Sequence, residues 1–347
     1  MKLIISEKAS VASQLIESGL LSNQDQITFT FSLGLWTESK AKIDFNQIPY
    51  TDYSGEMRPL HEAFFKKGND AWGDWKNLII DGSGETLLKQ KLNSDGLNKL
   101  LSHLNGHLHQ YTEIIIATDN DRRGAYGAWQ IIERLKPSKL PIHVMLFSDT
   151  SLKTIKKAWL KRNEHSWESS GYEKKAKAQK VKKSFDFWWH TNSALVFGEC
   201  LKKSGLRGDP VLSKYELMAI NVLSNFEHEV TADKLIDIMQ SWKGTGRYSS
   251  LINNYECQIG SASSQCEIIS RLIERGVFQL SDLNDVKMKT LSLTPEAERF
   301  LELMHPKTFD KDLPFRLYQW CSEENINAIR RYINTLFSRQ LRFQRNK

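Results

Sequence analysis

Three acidic side chains are spaced so that they could bind a divalent metal ion: Glu7, Asp119 and Asp121. One residue separates the two aspartates, so both carboxylates can face one crevice, and Glu7 can join them from a neighbouring strand end. Carboxylate oxygens suit a hard cation, above all Mg²⁺, which would neutralise phosphate oxygens or activate a nucleophile. Taken alone, Asp119-Asn120-Asp121 is better explained as an ordinary turn, because Asp and Asn are favoured there.

The predicted strands would carry these carboxylates to one edge of a sheet. Leu3 to Ile5 form a short apolar strand just before Glu7. Residues 112–118 have a continuous apolar centre, which is typical of a strand buried on both faces of a parallel sheet, and Asp119 follows them. Ligands of open parallel sheets bind beyond the carboxyl ends of the strands, so the sequence predicts that the acids lie at the binding edge.

The chain is long enough for more than one domain. At roughly 100–200 residues per domain, its 347 residues predict two or three domains. We predict an α/β domain with a parallel, Rossmann-like sheet over residues 1–150, interrupted by an insertion at about 36–110. Residues 151–347 carry apolar residues at helical spacing and are predicted to be mainly helical.

Several classes of protein are excluded by composition. The longest apolar runs, such as residues 114–117, are far below the ~20 residues of a membrane span. The short apolar run before Glu7 is not a signal peptide. The four cysteines form no CxxC pair and lack histidines at zinc-site spacing, so they are best explained as free thiols in a reducing compartment. We therefore expect a cytoplasmic protein without a zinc site.

The charge balance permits a polyanionic partner without demonstrating one. The formal net charge is +7 and the isoelectric point is near 9.0. A cluster of lysines lies in the longest predicted helix, which covers residues 174–197. Its members are Lys174, Lys175, Lys177, Lys180, Lys182 and Lys183. Such a cluster is either a solvated helix face or a nucleic-acid contact, and the sequence alone leaves both open.

Two motifs resemble the Toprim domain of the type IA DNA topoisomerases. Residues 1–12, MKLIISEKASVA, resemble the opening motif, in which a strand leads into Glu-Lys-Pro-Ser; here Ala9 stands in the place of the proline. Residues 113–129, EIIIATDNDRRGAYGAW, are similar to the second motif, Ala-Thr-Asp-x-Asp-Arg-Glu-Gly-Glu. Weaker similarity continues in the family's order through the segments 143–158, 184–196, 231–239, 258–278 and 291–303. The topoisomerase III branch is the most similar.

The resemblance implies a Toprim domain followed by a helical base with a reduced arch remnant. It also implies that Glu7, Asp119 and Asp121 bind Mg²⁺. In the family a third acid follows the second aspartate by two positions, but Arg123 stands there in this chain. A guanidinium removes one metal ligand and adds a fixed positive charge, so we expect weaker Mg²⁺ binding. Nucleic-acid contacts are expected from Lys8, Arg122, Arg123 and the lysines of the cluster.

The nucleophile of the family has no counterpart in the sequence. Type IA enzymes cut DNA with a tyrosine in a Gly-x-Ile-(Thr/Ser)-Tyr-Pro-Arg-Thr-Asp segment, which does not occur here. Asp186 and Thr231 are only 45 positions apart, and the family places its tyrosine domain in that interval. Among the tyrosines of this chain, Tyr248, beside Arg247, is the best candidate for a substitute nucleophile. A packing role explains this residue more simply.

These observations predict a DNA-binding relative of the type IA isomerases that cannot pass strands alone. It would act on single-stranded DNA within a larger DNA-processing assembly, for instance in plasmid transfer, replication or phage defence. One alternative is a Mg²⁺-dependent nuclease, in which water replaces the tyrosine. Another is an active topoisomerase whose tyrosine is unrecognised or is supplied by a partner chain.

Overall fold

The computed structural model describes residues 1–30, 36–38, 43–51, 57–59, 75–91, 94–137, 139–252, 254–281 and 290–346. The chain divides into two compact units, one of residues 1–41 and 54–180 and the other of residues 42–53 and 181–347. The first unit therefore extends beyond the predicted boundary at residue 150. The reason is that the start of a long helix buries Tyr172 and Ala176 in the core of that unit.

The first unit is an α/β layer structure. Its strands are β1 (Lys2–Ser6), β2 (Gln26–Phe29), β3 (Trp36–Glu38), β4 (Met57–Pro59), β5 (Trp75–Asp81), β6 (Thr86–Lys91), β7 (Glu113–Ala117) and β8 (Ile142–Val144). Its helices are α1 (Ala9–Glu17), α2 (Ser94–Gly106), α3 (Arg122–Leu135), α4 (Leu152–Lys161) and the beginning of α5 (Tyr172–Ser204). The predicted fold class is confirmed.

The main sheet has six strands in the order β6-β5-β2-β1-β7-β8. The neighbours β2, β1, β7 and β8 run parallel, whereas β5 and β6 form an antiparallel hairpin on the β2 side. This hairpin falls within the predicted insertion, yet it extends the sheet. The reason is that Leu78 and Ile79 of β5 are fully buried and the turn at residues 81–84 reverses the chain at once.

The central strands have buried side chains on both faces. Ile5 and Ile116 belong to the cluster that helices α2 and α3 cover, while Ile4 and Ile115 belong to the cluster that α1 and α4 cover. All four side chains have no solvent-accessible surface. Burial on both faces is the reason that the strands have continuous apolar sequences. It also makes β1 and β7 a rigid support for the residues that follow each strand.

The second unit is mainly helical, as predicted. Its helices are the remainder of α5, α6 (Lys214–Leu223), α7 (Ala232–Gln240), α8 (Ala262–Glu274), α9 (Pro295–Glu302), α10 (Leu313–Ser322) and α11 (Ile326–Arg345). A small antiparallel sheet joins them, with β9 (Val230–Thr231), β10 (Phe278–Leu280) and β11 (Thr290–Leu293) in the order β10-β11-β9.

Aromatic side chains form the centre of the second unit. Trp188 and Trp189 are almost completely buried, and the Trp189 ring packs on Phe197 and Phe337 with centroids 6.0 and 5.7 Å away. The Trp189 indole N–H donates to the Leu212 carbonyl at 3.0 Å. The two tryptophans are therefore core residues. Among the helices described, none combines the length and apolar character that a membrane span requires.

Candidate functional site

Strands β1 and β7 bring Glu7 and Asp119 together. The two strands pair in parallel with Ser6 opposite Ala117. The residues that follow each strand therefore leave the sheet at the same edge. The Asp119 backbone N–H donates to Glu7 Oε2 at 3.2 Å. The sequence predicted this convergence, and the parallel pairing explains it. We call the group formed by Glu7, Lys8, Asp119, Asp121, Arg122 and Arg123 the carboxyl edge.

Asp121 is placed at the carboxyl edge by its role as the N-cap of helix α3. Its Oδ1 accepts a hydrogen bond from the Gly124 N–H at 2.7 Å. A Cβ atom at position 124 would lie 2.3 Å from the Asp119 carbonyl oxygen and 3.0 Å from Glu7 Oε2. The helix can begin this close to the strand ends only because residue 124 has no side chain.

The carboxylates influence one another electrostatically. Burial raises the pKa of Glu7, and the negative charges of Asp119 and Asp121 raise it further. The hydrogen bond from Asp119 N–H and the positive charge of Lys8 oppose that rise. Because both aspartates contribute, the three acids share one local field even though they come from distant parts of the chain.

Lys8 supplies a positive charge to the same edge. Its Nζ lies 2.6 Å from Asp119 Oδ2, and the two side chains are 45% and 34% exposed. The hydrogen bond with Asp119 is the main reason that the pKa of Lys8 is raised. The ammonium group therefore neutralises one of the carboxylates that were predicted to bind metal.

The carboxyl edge fits Mg²⁺ in the kind of ligand, although two of its three acids already have partners within the chain. Carboxylate oxygens are what Mg²⁺ prefers. However, no group of three or more His, Cys, Asp or Glu side chains within the described ranges is arranged to hold a metal ion. Asp119 is paired with Lys8 and Asp121 caps α3, while Arg123 stands where the family has an acid. The predicted Mg²⁺ site at Glu7, Asp119 and Asp121 stays a prediction.

Helix α5 fixes the loop that carries Asp119. The Tyr172 hydroxyl donates to the carbonyl oxygens of Thr118 and Asp119, both at 3.0 Å. Lys175 Nζ donates to the Asn120 carbonyl at 3.2 Å. Tyr172 is fully buried, and burial is the main reason that its pKa is raised. Sequence reasoning missed this residue, because it lies 53 positions from Asp119 in a segment without a recognised motif.

The lysine cluster does not form one uniform basic face. Lys174, Lys175, Lys177 and Lys180 belong to the first unit, and Lys182 and Lys183 to the second. At least four of them have partners within the chain. These contacts are Lys175 with Asn120, Lys177 with Glu173 at 2.9 Å, Lys180 over the Trp129 ring at 4.9 Å and Lys182 with Asp186 at 3.0 Å. Lys174 is exposed, which makes it the member best placed to contact a ligand.

Tyr248 lies in the second unit and has the contacts of a packing residue. Its half-buried ring stacks on Phe315, with centroids 5.6 Å apart and planes 4° from parallel. The Arg247 guanidinium lies 5.9 Å from the ring centroid. These contacts agree with the simpler of the two roles proposed from the sequence.

Comparison with known proteins finds a family match for most of the first unit. A protein-family model described as the Toprim domain matches residues 2–148. Among curated proteins, none matches the chain. Among solved structures, full-length topoisomerase I from Thermotoga maritima is similar at 14% identity with a TM-score of 0.38, over 64% of this chain and 29% of that one. The chain thus spans less than a third of that topoisomerase.

Proposed function

We propose that this chain, whose residues 2–148 form a Toprim domain, is a DNA-binding protein related to the type IA topoisomerases. In this proposal it acts on single-stranded DNA as part of a larger DNA-processing assembly. The observation that carries the proposal is the mixture of charges at the carboxyl edge. Lys8 is paired with Asp119, and Arg122 and Arg123 begin helix α3 immediately after Asp121.

This mixture suits a phosphodiester. An edge of carboxylates alone would repel phosphate unless a metal ion neutralised it. Here Lys8 offsets one carboxylate, and the planar guanidinium groups of Arg122 and Arg123 match the geometry of phosphate oxygens. DNA binding at this edge should therefore depend less on Mg²⁺ than it would if an acid stood at position 123. We expect Mg²⁺ itself to bind weakly to Glu7 and the two aspartates.

Strand passage by this chain alone is not part of the proposal. The interval from Asp186 to Thr231 contains the end of α5, which extends to Ser204, and the short helix α6. Thr231 then caps α7. These elements fill the interval in which the family has its tyrosine domain. A covalent strand-cleaving step would therefore need a tyrosine from elsewhere, such as a partner chain.

A metal-dependent nuclease is the second candidate function. It is favoured by the raised pKa of Glu7 beside two aspartates, since a general base works best when its pKa approaches the working pH. The incomplete metal-ligand set argues against it. Incubating plasmid with Mg²⁺ or Mn²⁺ would separate the candidates, because nicking that is lost in both Asp119→Ala and Asp121→Ala would support the nuclease.

The test of the proposed function is binding of a fluorescent 20-nucleotide deoxythymidine strand over a range of salt concentrations. We expect salt-sensitive binding by the wild type. In Arg122→Ala/Arg123→Ala the affinity should fall about tenfold, and the slope of log K against log salt should become shallower by about one to two. Lys8→Ala should also lower the affinity for the deoxythymidine strand.

The matched control is Lys89→Ala/Lys91→Ala, which removes the same charge from exposed positions of the β5–β6 hairpin. We expect its affinity to stay within about twofold of the wild type. Equal losses in both double variants would mean that only total charge matters and would contradict binding at the carboxyl edge. No salt-sensitive binding by the wild type would remove the proposal altogether.

A further inference from the structure

A second basic site lies in the helical unit, away from any segment that resembles the topoisomerases. It is a cleft of about 430 Å³, which we call the basic cleft. Its lining residues are Thr245, Lys307, Phe309, Asp310, Lys311, Asp312, Arg316, Tyr332, Thr335, Leu336 and Arg339. All of these except Thr245 follow residue 303, where the last resembling segment ends.

The basic cleft has more positive charge than its own acids can neutralise. Asp310 pairs with Arg316, with Oδ2 and Nη1 3.2 Å apart. Asp312 is buried and accepts hydrogen bonds from the Thr245 N–H at 2.8 Å and the Thr245 hydroxyl at 2.7 Å.

Three further cations line the cleft: Lys307, Lys311 and Arg339. Within the part of the chain that the structure describes, none of them has a carboxylate partner at ion-pair distance. Their effect reaches the neighbouring His305, whose pKa is lowered by burial and then by the positive charges of Arg339 and Lys307. The electrostatic potential of the cleft is therefore positive and favours binding of an anion.

A buried hydroxyl group also lines the basic cleft. The Tyr332 hydroxyl is buried and interacts with the Asp310 carboxylate. Burial raises the pKa of Tyr332, and the nearby Asp310 carboxylate raises it further, so the hydroxyl keeps its proton. The protonated hydroxyl is a hydrogen-bond donor among the lining residues of the cleft.

We propose that the basic cleft binds a nucleotide. The phosphate would lie among Lys307, Lys311 and Arg339, and the base or sugar would pack on the partly exposed Phe309. The cleft is within the range of about 300–1,000 Å³ that is usual for small-molecule sites. The nucleotide is either free or one unit of a DNA strand. Only the second form rests on the proposed DNA-binding function, because the cleft shares no residue with the carboxyl edge.

Isothermal titration calorimetry on the full chain tests the proposal, with thymidine 5′-monophosphate, unphosphorylated thymidine and a 15-nucleotide deoxythymidine strand as probes. Lys307→Glu/Arg339→Glu reverses two charges in the cleft. The matched control, Lys202→Glu/Lys234→Glu, makes the same charge change at exposed positions outside it. Should the double cleft variant fail to fold, the exposed single change Lys311→Glu replaces it.

We expect thymidine 5′-monophosphate to bind at least about tenfold more weakly to the cleft variant than to the control, and thymidine to bind to neither. If only the longer strand shows this difference, the nucleotide is recognised within DNA. Equal binding to the cleft variant and the control with both phosphate-containing probes, or no binding to the wild type, overturns the proposal. Competition by a glutamate decapeptide that matches the mononucleotide would also overturn it, because the cleft would then be a general surface for acidic peptides.

The two proposals fail in different ways. One possible result is that Arg122→Ala/Arg123→Ala loses binding of the DNA strand, whereas the cleft variant binds both the DNA strand and the mononucleotide as the wild type does. This result would support DNA binding at the carboxyl edge and rule out nucleotide binding in the cleft. Retained mononucleotide binding that depends on the cleft, with no strand binding by the wild type, would do the reverse.

Discussion

Gly124 allows helix α3 to begin against the strand ends, and replacing it should disturb the carboxyl edge. In Gly124→Ala the new methyl group would lie 2.3 Å from the Asp119 carbonyl oxygen. The obstacle is backbone, so it cannot move aside as a flexible side chain would. We expect a loss of about 1–3 kcal/mol in the free energy of unfolding, the usual cost of overpacking, measured by urea denaturation.

The control for this change is Gly106→Ala at the end of helix α2, where a Cβ atom would meet nothing within 4 Å. It should be neutral or slightly stabilising, because alanine favours helix more than glycine does. Equal free energies for the two variants would contradict the close approach at position 124.

Glu7 should make the folded chain less stable as its carboxyl group ionises. Its pKa is raised above the ordinary value of 4.5 by burial and by the two aspartates, so the folded state holds the proton more tightly than the unfolded state. Stability should therefore fall as pH rises from about 4.5 through the folded pKa. In Glu7→Gln this pH-dependent loss is absent. The free energy of unfolding of the variant should therefore rise relative to that of the wild type between pH 4 and pH 7.

Urea denaturation at pH 4, 5, 6 and 7 measures this gain. Glu133→Gln, at an exposed position of α3, provides the control and should follow the wild type throughout. Parallel stability curves for Glu7→Gln and the wild type would contradict a raised pKa of Glu7 in the folded chain.

At the scale of single residues, the sequence predicted which side chains meet but not what neutralises them. The convergence of Glu7 with Asp119 follows from two strands whose apolar runs end at those residues. The pairing of Lys8 with Asp119 and the support from Tyr172 depend on side-chain directions and on a distant helix, which no local pattern encodes. The motif text alone therefore predicted the three acids but not the ammonium group of Lys8 beside them.

The buried charges between helices α5 and α6 join these two elements. Asp186 lies 2.6 Å from Lys214 Nζ and 3.0 Å from Lys182 Nζ. Burial alone would raise the pKa of Asp186, but the two lysine charges outweigh it and hold that pKa well below its usual range. Lys214 is almost completely buried and also lies over the Tyr215 ring at 4.5 Å.

Removing the central charge of this group should destabilise the second unit. In Asp186→Asn the buried ammonium of Lys214 loses its counter-ion, and we expect a cost of about 2–3 kcal/mol at pH 7. Because the folded pKa is lowered, the stabilisation is present above about pH 4 and is lost as pH falls through the folded pKa. The difference between variant and wild type should therefore shrink in acid.

Chemical denaturation at pH 7 and pH 3 measures both parts of this prediction. Glu164→Gln breaks an exposed ion pair with Lys161 and should cost no more than about 0.5 kcal/mol. An Asp186→Asn cost as small as that of the control would mean that the group is solvated rather than structural. A cost that stays constant down to pH 3 would contradict the lowered pKa.

Whole helices were predictable where apolar residues recur at helical spacing over several turns and where capping residues mark the helix starts. Helices α3 and α4 follow from apolar spacing, and the caps at Asp121 and Ser151 mark their starts. The β5–β6 hairpin was missed because β6 is mostly exposed, so it has no apolar run to detect. Its place in the sheet comes from pairing with β2 through β5, a tertiary contact that residues 75–91 do not reveal locally.

At the scale of the whole molecule, the two units divide the proposed roles. The first unit presents the carboxyl edge on a rigid parallel sheet, and the second contains the basic cleft. The excess positive charge of the chain, +7, is consistent with a polyanionic partner. The composition could predict that class of partner, but it could not locate the contacts, because most lysines of the cluster in α5 have partners within the chain.

The isolated chain should be unable to pass DNA strands through one another. Relaxing supercoiled DNA requires a nucleophile that conserves the energy of the broken phosphodiester bond, and the only proposed substitute, Tyr248, packs on Phe315. We expect no change in the linking number of negatively supercoiled plasmid when Mg²⁺ and the chain are present. Gel electrophoresis of the topoisomers measures this, with an active type IA topoisomerase as the positive control.

A ladder of relaxed topoisomers from the wild type would contradict this prediction and favour an active enzyme. Tyr248→Phe would then identify the nucleophile, because removing one hydroxyl while keeping the ring on Phe315 should abolish the ladder only if Tyr248 attacks DNA. If relaxation appears only when a partner from the native cells is added, and survives Tyr248→Phe, the tyrosine comes from the partner or from another position of this chain, and a covalent DNA adduct on the partner would assign it to the partner. In that case this chain contributes the Toprim half of an active site divided between two proteins.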